Sequence, residues 1–289
     1  MNNEPPPKST KSLKRKRKSI KKKKKKAEAA KENDSLNSNI VCESENSITE
    51  DRSKALPVPS IGKSVGCLKK KLLILDINGI LVDVVSHPFP KKIKRDAMIA
   101  KKALFKRPFC SEFLNFCFEK FDVAVWSSRM EKNVNSIINH LLGNMSQRLI
   151  FCWNISQCTK TNIKALGNNH KLVVFKDLRR IWDKYYPDLP WEKGYYNESN
   201  TLLLDDSPYK GLLNPPHNSI YPPTFSCRQL NDSSLGVGGL IRNYLERLAN
   251  AENVSKFVEQ NPFGQKRISE TSESWSFYCN ILHRLRPKN

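Results

Sequence analysis

Reactive side chains stand directly after four short apolar segments of this 289-residue chain. The segments cover residues 72–75, 121–126, 172–175 and 201–204, and the side chains that follow are Asp76, Ser127, Lys176, Asp205 and Asp206. A hard cation such as Mg²⁺ prefers carboxylate ligands and keeps waters and phosphate oxygens as its others. A hydroxyl and an ammonium hold phosphate oxygens. The set therefore indicates phosphate chemistry, with the three carboxylates around Mg²⁺.

Asp76 is the candidate for a covalent role, because a free oxygen of its carboxylate can attack phosphorus and give an aspartyl-phosphate. Each residue of the set also has an ordinary structural interpretation. Lys176 could be the neighbour of a helix cap, Ser127 an N-cap, and the Asp205-Asp206 pair part of a turn. Their occurrence at the ends of successive apolar segments favours the functional interpretation.

The segment around Asn78-Gly79 has two structural interpretations. Asn-Gly between two β-prone runs is a strong hairpin signal. Alternatively, residues 72–75 form a buried parallel strand that presents Asp76 at the carboxyl edge of an open α/β sheet, where such sheets bind ligands. Helical segments separate the later strands, which indicates βαβ units and a mostly parallel sheet. The buried strand is therefore expected.

The elements that would position these side chains follow from hydrophobic periodicity. Helices are predicted over residues 109–120, 130–142, 178–184, 235–249 and 251–260, and further strands over 149–153 and 219–221. The Lys- and Pro-rich residues 86–106 are expected to form a linker. The predicted fold class is α/β, with a mostly parallel central sheet and flanking helices, preceded by a disordered basic tail.

Charge is concentrated at the N-terminal end of the sequence. Residues 1–26 contain thirteen Lys or Arg and one acid, so they carry twelve of the net +22 charges. Such composition, with few large apolar residues up to position 66, is typical of disorder. We therefore expect a disordered Lys-rich tail over 1–66, an α/β domain over 67–260 and a polar tail over 261–289. Within the domain, the core is expected at 70–225 and C-terminal helices at 235–260.

The lysine clusters at residues 14–18 and 21–26 are typical of a nuclear or nucleolar import signal, which an import receptor would bind. The alternative is a solvated tail without a receptor. In either case the clusters attract RNA or DNA non-specifically and in a salt-dependent way. No aromatic residue lies between the lysines, so base-specific recognition is not expected.

The sequence gives no sign of an oxidising compartment or a membrane. The eight cysteines form no Cys-x-x-Cys pair, and we expect buried thiols rather than disulfides or zinc ligands. No apolar run reaches the roughly 18 residues that a membrane span needs. The N-terminus lacks the apolar region of a secretory signal, and its lysines are unlike an Arg-rich amphipathic transit peptide.

Five ordered segments within residues 70–225 resemble the haloacid dehalogenase superfamily. The likeness is greatest to phosphatases of the RNA polymerase II C-terminal domain, and among these to a plant nuclear subgroup. The matching segments are residues 75–81 for the D-x-D-x-[TV]-L motif, 106–114, 125–128, 175–178 and 204–208. The resemblance implies a Rossmann-like haloacid dehalogenase fold and a Mg²⁺-dependent protein serine/threonine phosphatase. Its implied partner is a phosphorylated protein such as that C-terminal domain.

The resemblance also implies a role for each site residue. Asp76 would be the nucleophile and a metal ligand, and Asn78 would give its backbone carbonyl to Mg²⁺. Ser127 and Lys176 would bind phosphate, while Asp205 and Asp206 would complete the metal site. One departure stands out, because the family has an aspartate at the position of Asn78, where it serves as general acid and base. An amide can do neither, and losing such a group costs about 10²–10⁴-fold in rate.

Asn78 therefore leaves the function open. The chain could be a weakened phosphatase, or an inactive pseudophosphatase that holds a phosphoprotein in the nucleus. It could also be a scaffold similar to the mitochondrial import-translocase subunit that carries the same domain, although the transit peptide and membrane anchor of such a scaffold are not expected here. A further alternative is an RNA-associated nuclear protein that acts through its lysine tail.

Overall fold

Five parallel strands form the central sheet of the computed structural model, which describes residues 70–285. In spatial order they are β10 (Ser219–Ile220), β9 (Thr201–Leu204), β1 (Leu72–Leu75), β5 (Asp122–Trp126) and β6 (Cys152–Trp153). β1 pairs in parallel with β5 and β9, and all its residues are buried. A strand covered on both faces needs an apolar sequence without alternation. The predicted mostly parallel sheet is confirmed.

The hairpin interpretation of Asn78-Gly79 is wrong, because the strand after this turn leaves the central sheet. β2 (Val82–Val85) joins β4 (Lys102–Lys106) and β3 (Ala97–Ile99) in a separate antiparallel sheet. The predicted linker over residues 86–106 is therefore also wrong in its second half. β4 buries its three central residues between two exposed lysines, and the surrounding Lys and Pro residues concealed this short pattern.

A second hairpin lies outside the central sheet. β7 (Thr159–Ala165) pairs antiparallel with β8 (Asn168–Phe175). The apolar end of β8 was predicted from the sequence, whereas the polar β7 was missed because it contains no apolar run. Lys176 therefore reaches the site from the end of an antiparallel hairpin and not from the parallel sheet.

Helices and aromatic side chains cover the two faces of the central sheet. One face packs against α1 (Cys110–Lys120), α2 (Glu131–Leu142), α4 (Leu240–Asn250) and α5 (Val254–Gln260). The other face carries the one-turn helix α3 (Arg179–Trp182) and a tryptophan cluster. The predicted helices are confirmed, although α3 is shorter than expected, and α4 and α5 begin several residues later.

The C-terminal segment is part of the packed domain, so the predicted polar tail over 261–289 is wrong within the described residues. α6 (Trp275–Leu285) buries Tyr278 and Ile281 against the apolar end of β8. The ring of Tyr278 stacks on that of Tyr209 at 5.5 Å between centroids. Seven of the eleven residues of α6 are apolar, so the sequence did carry a signal for this helix, and the polar stretch before it drew attention away from that signal.

Several predictions fall on residues 1–69, which lie outside the described residues; these include the disordered tail and the import signals. Within residues 70–285 the six cysteines are free thiols, and Cys110, Cys117, Cys158 and Cys227 are buried. No helix of this range has the length and apolar character to cross a membrane.

Arg107 ties the loop after β1 to the C-terminal segment. Its guanidinium forms two hydrogen bonds with the carboxylate of Asp232, at 3.0 and 2.8 Å, and a third with the carbonyl of Ile80 at 3.2 Å. The Arg107 side chain is only 4% exposed. Burial raises the pKa of the Asp232 carboxyl, but Arg107 outweighs this effect and holds the pKa below its ordinary value.

We expect Asp232→Ala to lower the free energy of unfolding by about 3–5 kcal/mol, because it leaves the buried guanidinium without a carboxylate. The difference from wild type should shrink in acid, since a carboxyl with a depressed pKa stabilises the fold only while it is ionised. Urea unfolding at several pH values measures both effects. The control is Glu246→Ala, which removes an ion pair with Arg242 on the surface of α4 and should cost about 0.5 kcal/mol or less.

Candidate active site

The register of the central sheet places two carboxylates side by side. Leu75 of β1 lies opposite Leu204 of β9, so the next residues, Asp76 and Asp205, leave the sheet at the same edge. The amide of Asp76 continues the ladder by donating to the carbonyl of Leu204 at 2.9 Å. Both aspartates are almost fully buried, at 2% and 0% exposure. Two adjacent buried carboxylates require positive charge nearby.

Two buried lysines supply that charge. Lys176 Nζ lies 3.0 Å from Asp76 Oδ1 and forms an ion pair with Asp205 Oδ2. Lys210 Nζ lies 2.9 Å from Asp76 Oδ2 and 2.8 Å from Asp205 Oδ1. Each oxygen of the two carboxylates therefore faces one ammonium. The backbone holds the lysines together, since the amide of Lys176 donates to the carbonyl of Lys210 at 2.8 Å.

This arrangement fixes the charge state of Asp76. Burial by itself raises the pKa of its carboxyl, but Lys176 and Lys210 outweigh burial and hold the pKa well below its ordinary value. Burial would likewise lower the pKa of Lys210, yet Asp205 and Asp76 raise it well above its ordinary value. Asp76 is therefore an anion and Lys210 a cation at neutral pH.

Asp206 brings a third carboxylate to the same place. The three aspartates each offer an oxygen within 4.8 Å of the others. Burial raises the pKa of the Asp206 carboxyl, and the neighbouring Asp205 and Asp76 add to this effect against the opposing Lys210. Three carboxylates outnumber the two ammoniums by one charge. Proteins usually hold Mg²⁺ through one or two carboxylates together with phosphate oxygens. The three aspartates therefore provide oxygen ligands that fit Mg²⁺.

Gly79 allows the loop after β1 to approach Asp206. Its φ of +86° lies in the left-handed region, and a Cβ at this position would stand 2.6 Å from Asp206 Cγ. The Asp206 side chain accepts a hydrogen bond from the hydroxyl of Thr224 at 2.9 Å, and the backbone carbonyl of Asp206 accepts one from the side-chain Nε2 of Gln265 at 2.8 Å. The close contact therefore requires a glycine and is supported from the C-terminal segment.

Asn78 faces the site beside a guanidinium. Its Oδ1 accepts one hydrogen bond from the backbone amide of Val84 and another from Arg129 Nη2, both at 3.0 Å. Arg129 is half-buried, and its Nε has no hydrogen-bond partner among the described residues. The amide thus positions an arginine next to the carboxylate cluster and links β2 to the segment after β5.

Ser127 lies at the same sheet edge but outside the ion-pair cluster. It is buried at the end of β5, and its amide donates to the carbonyl of Trp153 at 2.9 Å. Its Oγ accepts a hydrogen bond from the amide of Arg129 at 3.3 Å. The structure thus brings Asp76, Lys176 and the Asp205-Asp206 pair into contact and leaves Ser127 one strand away.

Sequence reasoning missed Lys210, Arg129 and the close contact at Gly79. The signal for Lys210 was its position four residues after Asp206, where a short 3-10 helical turn (Pro208–Gly211) can return it to the strand end. Arg129 stands two residues after the predicted Ser127, directly after the matching segment 125–128. No pattern in the sequence reports that Gly79 meets Asp206, because the two lie on different strand ends.

Several known proteins are similar to this chain in sequence. The family described as NLI interacting factor-like phosphatase matches residues 71–255. An uncharacterized FCP1 homology domain-containing protein of Schizosaccharomyces pombe is 25% identical over 227 residues, covering 73% of this chain and 89% of that protein. The ubiquitin-like domain-containing CTD phosphatase 1 of Danio rerio is 27% identical and matches 64% of this chain. The match spans 52% of that relative's own length.

Among solved structures, a variant of the fission yeast RNA polymerase II CTD phosphatase Fcp1 bound to beryllium fluoride is similar to this chain. The identity is 11% and the TM-score 0.37, with 75% of this chain and 63% of that chain covered. The family predicted from the motifs is confirmed by the family match and the curated relatives. The plant nuclear subgroup stays a prediction.

We expect Gly79→Ala to lower the free energy of unfolding more than an ordinary glycine replacement in the left-handed region. The backbone conformation costs about 1–2 kcal/mol, and the clash with Asp206 adds about 1–3 kcal/mol. Chemical denaturation measures the sum. Gly167→Ala is the matched control, because Gly167 has a φ of +69° and open space around its Cβ position. Equal losses in the two variants would contradict the close contact.

Proposed function

The chain belongs to the NLI interacting factor-like phosphatase family, and from this premise we propose that it is a Mg²⁺-dependent phosphoprotein phosphatase weakened by Asn78. The observation that carries the proposal is the ionised Asp76, buried at a strand end with one ammonium beside each carboxylate oxygen. Phosphoryl transfer to a carboxylate needs an anionic nucleophile and positive charge around the phosphate. Asp76 and its two lysines supply both.

The proposed reaction begins at an Asp76 oxygen, which forms a bond to the phosphorus of a phosphoserine or phosphothreonine. The bond between phosphorus and the side-chain oxygen of the substrate breaks, and the alkoxide leaves. Lys176 stays close enough to Asp76 to stabilise charge on the phosphoryl group as it transfers. Water then attacks the aspartyl-phosphate, which releases phosphate and restores the Asp76 carboxylate.

Mg²⁺ held by Asp76, Asp205, Asp206 and the backbone carbonyl of Asn78 would neutralise charge on the phosphate oxygens. Ser127 is the further proposed phosphate ligand, and its place at the same edge is compatible with that role. Asn78 can neither give a proton to the leaving alkoxide nor take one from the attacking water. The leaving alkoxide and the attacking water must therefore exchange protons with solvent, which slows both steps.

The contact between Asn78 and Arg129 favours a second candidate, a pseudophosphatase that binds a phosphoprotein. The half-buried guanidinium stands beside the site, and its positive charge would attract a phosphate oxygen. Binding needs only the positive charges and no proton transfer. The same site can therefore retain a phosphorylated side chain without turning it over.

The partner in either case is proposed to be a phosphorylated protein in the nucleus. Two observations support this proposal. Relatives are named for phosphatase action on a CTD, and the lysine clusters of residues 14–26 are typical of import signals. The C-terminal domain of RNA polymerase II is the first substrate to test, and the nucleolus is the narrower location to test by imaging a fluorescent fusion.

We expect wild-type protein to release one equivalent of aryl alcohol rapidly from an aryl phosphate and then turn over slowly, because a good leaving group needs no acid. Asp76→Asn should abolish the burst, since no nucleophile remains. Rapid-quench kinetics with Mg²⁺, and mass measurement of the trapped protein, detect the aspartyl-phosphate. A burst of equal size in Asp76→Asn would overturn the proposed role of Asp76.

We expect Asn78→Asp to raise steady-state turnover by about 10²-fold or more. The new carboxylate would accept the same two hydrogen bonds, and Arg129 would hold its pKa low, so it would act chiefly as the base for the water step. The gain should therefore be larger for an aryl phosphate than for a phosphoserine peptide. Identical rates in wild type and Asn78→Asp would contradict a weakened phosphatase. Phosphopeptide binding without any burst would instead favour the pseudophosphatase.

A further inference from the structure

Lys210 is placed differently from the other lysine of the site. Lys176 contacts two of the three clustered carboxylates, Asp76 and Asp205. Lys210 contacts these two at 2.9 and 2.8 Å and lies 3.7 Å from Asp206 Oδ1. Its ammonium therefore lies within ion-pair distance of all three members of the carboxylate cluster. A bound divalent cation would use oxygens of the same three residues.

The chain holds Lys210 firmly in this position. The 3-10 turn begins at Pro208, and the amide of Lys210 donates to the carbonyl of Ser207 at 3.0 Å. The neighbouring Tyr209 is clamped by its stack on Tyr278 of α6. Lys210 itself is only 2% exposed. Its ammonium therefore has no nearby solvent to enter unless the side chain moves.

An ammonium and a divalent cation cannot share these oxygens without strong repulsion. Cations that share the same oxygens lie close enough to repel strongly, even at the effective dielectric constant of about 20 that suits protein sites. Without a metal, the Lys210 charge, together with that of Lys176, offsets repulsion among the three close carboxylates. Binding of Mg²⁺ therefore requires the Lys210 ammonium to leave or shift. The contacts of this ammonium with the carboxylates must then break, which lowers the affinity for Mg²⁺.

We propose that Lys210 is a resident cation of the carboxylate cluster, competing with Mg²⁺ for the oxygens of Asp76, Asp205 and Asp206. The site is thereby stable without metal and takes up Mg²⁺ weakly. This inference rests on the metal site of the proposed function. Lys210 therefore sets what fraction of the protein holds Mg²⁺ at a given Mg²⁺ concentration.

Lys210→Met tests the proposal in the full chain, because methionine is of similar length and carries no charge. Isothermal titration with Mg²⁺ should give a Kd about 10- to 100-fold lower than in wild type. In EDTA the variant should have a lower Tm than wild type, and saturating Mg²⁺ should raise its Tm by more. Neither readout depends on phosphatase activity.

Lys171→Met is the matched control. The Lys171 ammonium stands 5.8 Å from the centre of the Tyr209 ring and influences the same aspartates only at longer range. This variant should change Mg²⁺ affinity far less than Lys210→Met. Equal affinities in wild type and Lys210→Met overturn the role of Lys210 alone. If neither binds Mg²⁺, the metal site of the proposed function fails, and the competition fails with it.

A measurement on wild-type protein decides the matter if Lys210→Met does not fold. Isotope-labelled lysine gives an NMR signal for each buried ammonium, and loss of one signal in Lys210→Arg assigns that of Lys210. Saturating Mg²⁺ should shift or remove this signal as the ammonium leaves the carboxylates. An unchanged Lys210 signal, while the aspartate carboxyl signals report bound metal, overturns the proposal.

Discussion

Neutralisation of the adjacent carboxylates Asp76 and Asp205 is the constraint on which the rest of the site depends. The parallel register of β1 and β9 places them side by side at a buried sheet edge. Uncompensated, such a pair would protonate or prevent burial of the strand ends. Lys176 and Lys210 must therefore arrive together, and the backbone hydrogen bond between them couples their positions. The β7–β8 hairpin brings Lys176 to the end of the parallel sheet, and the 3-10 turn Pro208–Gly211 brings Lys210 there.

The same constraint explains why distant segments pack around the site. The β7–β8 hairpin carries Lys176, and α6 packs against both this hairpin and the turn that carries Lys210. Gln265 supports the backbone of Asp206 from the same C-terminal region. On the opposite side of the loop, Arg107 joins Ile80 to Asp232. The C-terminal segment therefore belongs to the support of the charged cluster.

The sequence predicted what local patterns encode. The apolar β1, β5 and β9, and the helices α1 and α2, follow from periodicity, and the polar residues after the strands marked the sheet edge. The elements that the sequence did not predict form by pairing with residues elsewhere in the chain. β7 has a polar sequence that becomes a strand only beside β8, and β4 was hidden among lysines. Lys210 was missed because a lysine near two aspartates is ordinarily a solvated side chain, and only the three-dimensional turn buries it.

Asn78 and Lys210 change the charge of the site in the same direction. An amide in place of the family's aspartate removes a negative charge, and the ammonium of Lys210 adds a positive one within the carboxylate cluster. Arg129, held by Asn78, adds another beside it. These charges attract a phosphate dianion to the site. That attraction needs no proton from residue 78, whereas both proton transfers of the proposed reaction do, so in that reaction the amide would slow turnover without weakening binding.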